Sequence, residues 1–233
     1  MEGELSILGK KLSFPDPLSA REDGLLAIGG DLKADRLLLA YREGIFPWSV
    51  NPITWWSPDP RSILPLESFH VPRRIERIIR QGRFEVTWNQ DFEGVMRGCA
   101  KPRRDQSGTW ISSLFIKAYG ELHHLGHAHS IECRREGKLV GGVYGVAVGG
   151  LFAGESMFHE ESNASSVALV TLLETCRSAG YVLFDTQMAT LHTRRFGAID
   201  IPREEYLKRL RAALEICPTP LPLRKIPSAL RRI

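Results

Sequence analysis

The sequence lacks the long apolar segments of a membrane protein. No apolar run approaches the ~20 residues that a membrane-spanning helix requires, which argues against an integral membrane protein and a membrane partner. The acidic start, Met1-Glu2-Gly3-Glu4, is followed by no apolar segment with a small-residue cleavage site, so we expect no secretory signal. Of the 233 residues, 43% are hydrophobic and 25% charged. This is enough apolar material for a folded core, so disorder is excluded as the dominant state.

Cysteine is scarce. No two of the four cysteines have the short spacing of a zinc or redox motif: Cys99, Cys133, Cys176 and Cys217. Cys133 and Cys176 lie in apolar segments and are expected to be buried thiols. A reducing cytoplasm is therefore the simplest compartment for this chain.

Familiar catalytic motifs are also missing, since there is no Gly-x-Ser-x-Gly elbow and no phosphate loop with Gly-Lys-Ser/Thr. The one group that looks like a metal set is His123, His124, His127 and His129. Its spacing crosses a helix end, a turn and a strand start, and no carboxylate or cysteine nearby completes a ligand set. A structural or surface role is favoured over metal binding, and we expect no metal.

Charge gives a mild signal. The chain has 31 Lys plus Arg against 27 Asp plus Glu, a net charge of +4 with pI about 9.0. This permits contact with a nucleic-acid backbone but does not require it. The basic residues cluster at 73–80, at 101–104 and at 223–232. Each cluster is either an ordinary solvated surface or part of one converging basic face.

The secondary-structure pattern divides the chain into two zones. Residues 1–65 hold many turn formers around one helix at 33–43, whereas regular elements follow from residue 61 onward. Helices are predicted at about 71–81, 90–99, 111–125, 163–179 and 203–214, and strands at 129–135, 138–148, 151–158 and 181–185. Gly149-Gly150 predicts a tight hairpin, and Ser162 or Asn163 the cap of the fourth of these helices.

Three antiparallel strands, a helix and a parallel strand predict an α+β fold with helices on a mixed sheet, which resembles the N-acetyltransferase-like (GNAT-type) acyltransferase fold. We expect a small N-terminal domain over residues 1–62 and a larger acetyltransferase-like domain over residues 63–233.

The loop after the hairpin argues against coenzyme A. It reads His159-Glu160-Glu161-Ser162-Asn163, so two carboxylates stand where a pyrophosphate would dock and no glycine opens the backbone. An acyltransferase with this loop needs another acyl donor. We expect no cofactor.

The tryptophans suggest what kind of acyl donor the chain uses. Trp48, Trp55, Trp56 and Trp110 lie in Gly/Pro/Ser-rich segments rather than in apolar stripes. Such rings either stack on a nucleobase or seal one domain against another.

Eight strings in order resemble one family, leucyl/phenylalanyl-tRNA–protein transferase. They are GLLAIGGDL at 24–32, YREGIFPW at 41–48, WWSPDPR at 55–61, GTWI at 108–111, LGHAHSIE at 125–132, LVGGVYGV at 139–146, LFAGESMF at 151–158 and FDTQ at 184–187. The resemblance implies a two-domain cytoplasmic enzyme that moves Leu or Phe from its charged tRNA to the α-amino group of proteins that begin with Lys or Arg. It also implies a role in N-degron tagging.

The resemblance carries residue roles with it. Trp48 and Trp110 would hold the terminal adenosine. The donor side chain would enter an apolar pocket, or the same residues would be plain core: Val143, Phe152, Leu169, Leu172, Cys176 and Phe184. Glu155, an acid in an apolar strand, would bind the cationic acceptor rather than transfer a proton. We hypothesise that Gln187 holds the attacking amine, that Asp185 polarises Gln187, and that the proton leaves through the ribose hydroxyl or water.

Strand alternation raises a problem. With a two-residue turn at Gly149-Gly150, Glu155 and the pocket residues Val143 and Phe152 project from opposite faces. We therefore predict a bulge within residues 152–156, where Gly154 permits it, or a longer turn.

We expect basic residues of the first two clusters to contact phosphates of the tRNA acceptor end. The candidates are Arg73, Arg74, Arg77, Lys101, Arg103 and Arg104. A monomer is expected. Two alternatives stay open, a coenzyme-A-dependent N-acetyltransferase and a non-catalytic tRNA- or peptide-binding module.

Overall fold

Two sheets organise the chain. The computed structural model describes residues 5–102 and 111–222. The smaller sheet, in the order β1-β2-β4-β3, is formed by β1 (Ser6–Leu8), β2 (Leu25–Gly29), β3 (Phe46–Val50) and β4 (Ile53–Trp56). Helix α1 (Ala34–Arg42) follows β2 and buries the stripe that contains Leu37, Ala40 and Tyr41. The sequence predicted this helix but not the four strands, whose short lengths are obscured by glycine and proline.

The larger sheet has seven strands in the order β11-β5-β10-β9-β8-β7-β6. They are β5 (Arg61–Ile63), β6 (Glu85–Trp88), β7 (Ala128–Arg135), β8 (Lys138–Val148), β9 (Leu151–His159), β10 (Leu183–Gln187) and β11 (Ile199–Ile201). Strands β7, β8 and β9 are antiparallel and β10 is parallel to β9, as predicted. The α+β fold with a mixed sheet is thereby confirmed.

Within the described ranges, six helices belong to this second part. They are α2 (Arg73–Arg80), α3 (Phe92–Cys99), α4 (Ser113–His124), α5 (Ala164–Ala179), α6 (Leu191–Arg194) and α7 (Arg203–Leu214). Side-chain caps from Asp91 and Ser112 begin α3 and α4, and Gly180 in the left-handed region ends α5. The periodic pattern located all of these except α6, which has only four residues. No helix in the described ranges is both long and apolar enough to cross a bilayer.

The change from the small sheet to the large one falls near the predicted boundary. Strand β4 ends at Trp56, and β5 begins at Arg61 in the larger sheet. The domain division at residue 62 cuts through β5 and stays a prediction.

Helices cover both faces of the large sheet. One apolar cluster lies between the sheet and α2 and α5, and includes Ile75, Val143, Leu169 and Phe184. The other lies under α1, α3 and α4, where it joins the small sheet and includes Tyr41, Trp55, Tyr119 and Tyr144. The two clusters together bury the apolar residues that drive folding of this part of the chain.

The predicted bulge is present in β9. Tyr144 pairs with Ser156 and Gly145 pairs with Gly154, which leaves Glu155 as the extra residue. The hairpin turn is as short as predicted, because Val148 pairs with Leu151. The bulge reverses the alternation of β9: Phe152 packs in the first cluster and Ala153 in the second, whereas Met157 packs in the first and Phe158 in the second.

Candidate active site

An opening between β9 and β10 brings the predicted polar residues together. The parallel pairing of these strands covers Leu183–Asp185 against Leu151–Ala153 and stops there. Just beyond it, the Gln187 side-chain amide donates to the Glu155 carboxylate, with Nε2 and Oε1 2.7 Å apart. Two residues separated by 32 positions thus form one hydrogen-bonded pair at the seam between the strands.

Glu155 is half-buried and held by tyrosines on its other side. Its Oε2 accepts from the Tyr119 hydroxyl at 3.2 Å, and that hydroxyl lies 2.5 Å from the Tyr41 hydroxyl. Burial raises the pKa of Glu155 to about 7; the charge of Asp185 adds to this, while hydrogen bonds from the two tyrosines and the charge of Arg61 oppose it. Near neutral pH this carboxyl is therefore poised between its two protonation states.

Asp185 lies beneath this pair as part of a buried ion pair. Arg61 donates to both carboxylate oxygens, from Nε at 3.0 Å and from an η-nitrogen at 2.7 Å, and the two side chains are each 1% exposed. The Tyr206 hydroxyl and the Gln187 backbone N–H donate to the same carboxylate at 2.8 and 2.7 Å. The contact to Gln187 is thus to its main chain, whereas the hypothesis from the sequence has Asp185 polarise the Gln187 side chain.

Gln187 has an unusual backbone. Its φ is +62°, in the left-handed region that non-glycine residues rarely adopt, and the register between β10 and β5 shifts between Asp185 and Gln187. The Asp185 carboxylate stabilises this conformation by accepting the Gln187 N–H. Because an ionised Glu155 can only accept, Gln187 turns its NH₂ group towards it and its carbonyl oxygen away from it. That oxygen can accept a hydrogen bond from an amine.

The six predicted pocket residues lie together on the other side of β9. The Phe152 and Phe184 rings stack with centroids 5.5 Å apart, and all six residues are at most 2% exposed in one apolar cluster. Gly154 connects this cluster to Glu155, since a Cβ at Gly154 would lie 3.3 Å from the Phe184 ring. Their role as a donor pocket stays a prediction beside the alternative of plain core.

Trp48 is half-buried on β3. Its ring lies 6.0 Å from Phe46 and 5.5 Å from Trp56, measured between centroids, and it packs at the edge of the cluster that holds Tyr41 and Tyr119. Phe46 in turn faces the Arg61 guanidinium at 4.8 Å. Trp110, Arg103 and Arg104 lie outside the described residues. The adenosine role of both tryptophans stays a prediction.

The remaining basic residues and histidines are placed as follows. Arg73, Arg74 and Arg77 are exposed on α2, and Lys101 pairs with Glu160. His123 and His124 each bind a backbone carbonyl through Nδ1, and within the described ranges no three His, Cys, Asp or Glu residues are grouped to hold a metal. Cys133 and Cys176 are buried, as expected.

The two carboxylates of the loop at 159–163 are paired with cations. Glu160 pairs with Lys101, and Glu161 accepts from Arg135 at 2.9 Å and lies 3.5 Å from Arg83. Because paired charge exerts less repulsion, these ion pairs weaken the predicted repulsion of an anion, and the expected absence of coenzyme A stays a prediction.

Sequence reasoning missed four residues of the site. Arg61, Tyr41, Tyr119 and Tyr206 reach Glu155 or Asp185 from four separate elements. The only signal for Arg61 is a cation two residues before the apolar Ile63 and Leu64, which requires a partner once buried. The tyrosines look like ordinary members of apolar helix stripes.

The candidate site is thus a carboxylate and an amide at the opening of a parallel strand pair in the mixed sheet of an α+β fold. Comparison with known proteins identifies the family. The family model described as "Leucyl/phenylalanyl-tRNA protein transferase" matches residues 63–211, and the model of the N-terminal domain of that transferase matches residues 30–59.

Curated relatives agree. A leucyl/phenylalanyl-tRNA–protein transferase from Anaeromyxobacter dehalogenans is 51% identical over 211 residues, 89% of this chain and 91% of that protein. One from Syntrophotalea carbinolica is 50% identical over 222 residues, 94% and 96% respectively. Among solved structures, L-PGS from Bacillus licheniformis has a TM-score of 0.42 and 12% identity over 71% of this chain and 54% of that chain. The chain belongs to the leucyl/phenylalanyl-tRNA–protein transferase family and is an aminoacyltransferase.

Proposed function

We propose that this enzyme transfers Leu or Phe from the charged tRNA to the α-amino group of proteins with N-terminal Lys or Arg. We further propose that it acts as a monomer in the cytoplasm, where it tags N-degron proteins. The observation that carries it is the Glu155–Gln187 pair, placed at the strand opening of a chain that matches the family over residues 63–211. The ester of an aminoacyl-tRNA is already activated, so positioning supplies much of the acceleration.

The acceptor amine binds between Gln187 and Glu155. The Gln187 carbonyl oxygen accepts one amine N–H and directs the nitrogen lone pair at the ester carbonyl. Asp185 is a positioning residue, because it holds the Gln187 main chain while its own charge is neutralised by Arg61. The negative charge of Glu155 favours an acceptor that carries two positive groups, the α-ammonium and the Lys or Arg side chain.

In addition to the acceptor binding expected from the sequence, we infer that Glu155 accepts the proton that the acceptor ammonium loses. Its pKa of about 7 is close to that of an α-amino group, about 7.7–8.0, so transfer of a proton from the ammonium to the carboxylate costs little. The amine nitrogen then bonds to the ester carbon, and the bond from that carbon to the ribose oxygen breaks. The nitrogen passes its second proton to the leaving ribose oxygen, through the adjacent ribose hydroxyl or water, while the first proton is released from Glu155 to solvent.

The donor occupies the other side of the opening. Its terminal adenosine stacks on Trp48 and Trp110, and its apolar side chain enters among Val143, Phe152, Leu169, Leu172, Cys176 and Phe184. Exposed arginines of α2, Arg73, Arg74 and Arg77, contact tRNA phosphates, together with Lys101, Arg103 and Arg104.

The decisive experiment is a transfer assay. The enzyme is incubated with Leu-tRNA or Phe-tRNA and with peptides that differ only in beginning with Arg or Ala, and products are identified by mass spectrometry. We expect a mass increase of one Leu or Phe residue on the Arg peptide. No transfer from charged tRNA would contradict the proposal. Acetylation of either peptide, when acetyl-CoA is supplied in place of the charged tRNA, would also contradict it.

A further inference from the structure

A cleft separate from Glu155 and Gln187 lies at the start of α5. Its volume is about 360 Å³, and it is lined by residues from α2, from the end of β9, from the first turn of α5 and from α6 and the turn that follows it. The side chains that carry or can accept positive charge are Arg74, Arg195, His159 and His192. Ser162, Ser165 and Ser166 add hydroxyl groups to the lining.

The charge of the cleft has one sign. None of its lining residues is acidic, and the neighbouring Glu160 and Glu161 are paired with cations elsewhere. Among the described residues neither Arg74 nor Arg195 forms an ion pair, although the adjacent Arg194 pairs with Asp200 at 2.5 Å. Two guanidinium groups that face a concave, acid-free surface are suited to an anion with several oxygens.

The lining also contains a buried donor. The Asn163 side-chain nitrogen is shielded from solvent and has no hydrogen-bond acceptor among the described residues. A buried donor of this kind is stabilised when a ligand supplies an acceptor. The first turn of α5, a helix of 16 residues, also lines the cleft through Ser165 and Ser166, and a helix N-terminus favours anions.

The cleft is connected to the active site by the two strands that form the opening. His159 follows Glu155 by four residues on β9, about 13 Å at the rise of an extended strand. His192 follows Gln187 by five residues. A donor whose ester lies at Glu155 and Gln187 therefore places its next nucleotides within reach of the cleft.

We propose that this cleft binds a backbone phosphate of the single-stranded 3′ end of the donor tRNA. The inference rests on the proposed function and extends it, because it assigns His159, His192 and Arg195 to donor binding in addition to the arginines of α2. A pyrophosphate of a small nucleotide such as coenzyme A shares this chemistry, and the test below separates the two sources.

The test compares two donors in the full-length enzyme. Phe-tRNA carries the phosphates, whereas phenylalanyl-adenosine, the bare 2′(3′)-ester, carries none. In Arg195→Gln and in Arg74→Gln we expect KM for Phe-tRNA to rise about tenfold or more with kcat unchanged, since each loses a charge-assisted hydrogen bond. Both constants for phenylalanyl-adenosine should stay at the wild-type value. Arg194→Gln is the matched control and should change neither donor.

Three results would overturn the inference while the proposed function stands. These are an unchanged KM for Phe-tRNA in both variants, an equal loss with both donors, and a thermal shift by acetyl-CoA that Arg195→Gln abolishes while Phe-tRNA kinetics are unaffected. If the wild-type enzyme transfers from neither donor, the proposed function fails, and this inference fails with it.

Discussion

Glu155 combines two properties that ordinary surface carboxylates lack. It is the extra residue of a bulge, and it contacts both a glutamine amide and a tyrosine hydroxyl at the seam of two strands. Burial raises its pKa to about 7. The same desolvation that suits the carboxyl to proton transfer makes its ionised form costly for the folded state.

A stability measurement tests this cost. A carboxyl whose folded pKa is raised contributes stability below its unfolded pKa, near 4.5, and loses it as pH rises through 7. The Glu155→Gln variant cannot ionise. Its stability advantage over the wild type should therefore grow between pH 4.5 and 7.5 by about 1–3 kcal/mol and then level off.

Urea denaturation at fixed pH values measures the difference. If the free energy of unfolding of Glu155→Gln changed with pH in parallel with that of the wild type, ionisation of the Glu155 carboxyl would not destabilise the fold, contrary to this prediction. We also expect Glu155→Gln to lose its preference for N-terminal Arg over Ala.

Gln187 is predicted to act at the chemical step. In Gln187→Ala the amine loses the carbonyl oxygen that orients it, so single-turnover transfer from bound donor should slow about hundredfold with donor affinity retained. Rapid quench with saturating enzyme measures this. Met188→Ala, a change at the exposed next residue, should transfer at the wild-type rate. Normal transfer by Gln187→Ala would remove the proposed role.

At the scale of elements, a buried ion pair joins β5 to β10. Arg61 also donates to the Gly44 carbonyl at 3.0 Å, so one guanidinium ties the turn after α1 to the strand that carries the site. The Tyr206 hydroxyl brings α7 to the same carboxylate. Three elements distant in sequence are thus fixed around Asp185.

Asp185→Asn should therefore destabilise the fold strongly. It leaves the Arg61 charge buried without a partner, at a cost of about 3–5 kcal/mol. Tyr206→Phe removes one hydrogen bond to the carboxylate and should cost about 1.5–3 kcal/mol. The free energy of unfolding at neutral pH in urea gives both values. A smaller loss in Asp185→Asn than in Tyr206→Phe would contradict the assigned roles.

The bulge depends on glycine at one position of the facing strand. A Cβ at Gly145 would lie 2.2 Å from the Ala153 carbonyl oxygen and 2.4 Å from the Phe152 ring. Gly145→Ala should therefore force β8 and β9 apart, with a loss of roughly 3 kcal/mol or more and a loss of transfer.

Gly120→Ala is the matched control, because nothing lies within 4 Å of its added Cβ on α4. There the same substitution should stabilise by about 0.5–1 kcal/mol through helix propensity. Thermal unfolding of the two variants, measured side by side, should show opposite signs. A well-folded, active Gly145→Ala enzyme would contradict the proposed need for glycine opposite the bulge.

At the scale of the whole molecule, binding of tRNA depends on a few exposed cations. The net charge of +4 is small beside that of a tRNA, so we expect contact to be confined to the acceptor end. Lys101 is already paired with Glu160, whereas Arg73 and Arg77 have no ion pair within the described ranges. These two arginines should therefore carry more of the electrostatic affinity than Lys101.

The salt dependence of binding checks this. Arg73→Gln/Arg77→Gln should reduce the slope of log K against log salt by about 1.8, near 0.9 for each phosphate that is no longer neutralised. The ratio of Leu to Phe transfer should not change. Arg97→Gln, whose guanidinium is paired with Glu93, should leave the slope intact. An unchanged slope in the double variant would indicate that the tRNA binds to another face of the protein.

Local patterns along the chain were sufficient to predict the long elements, the α+β order and the need for a bulge. Periodicity over ten or more residues is local information, as in α5 and in the β8–β9 hairpin. Strand alternation alone showed that Glu155 would project from the face opposite to the pocket residues. The contacts of Arg61, Tyr41, Tyr119 and Tyr206, and the pairing of Glu160 and Glu161, emerge only in the folded molecule. Hydrogen bonds and ion pairs between residues such as Arg61 and Asp185 depend on how distant strands and helices meet in space, which no local pattern encodes.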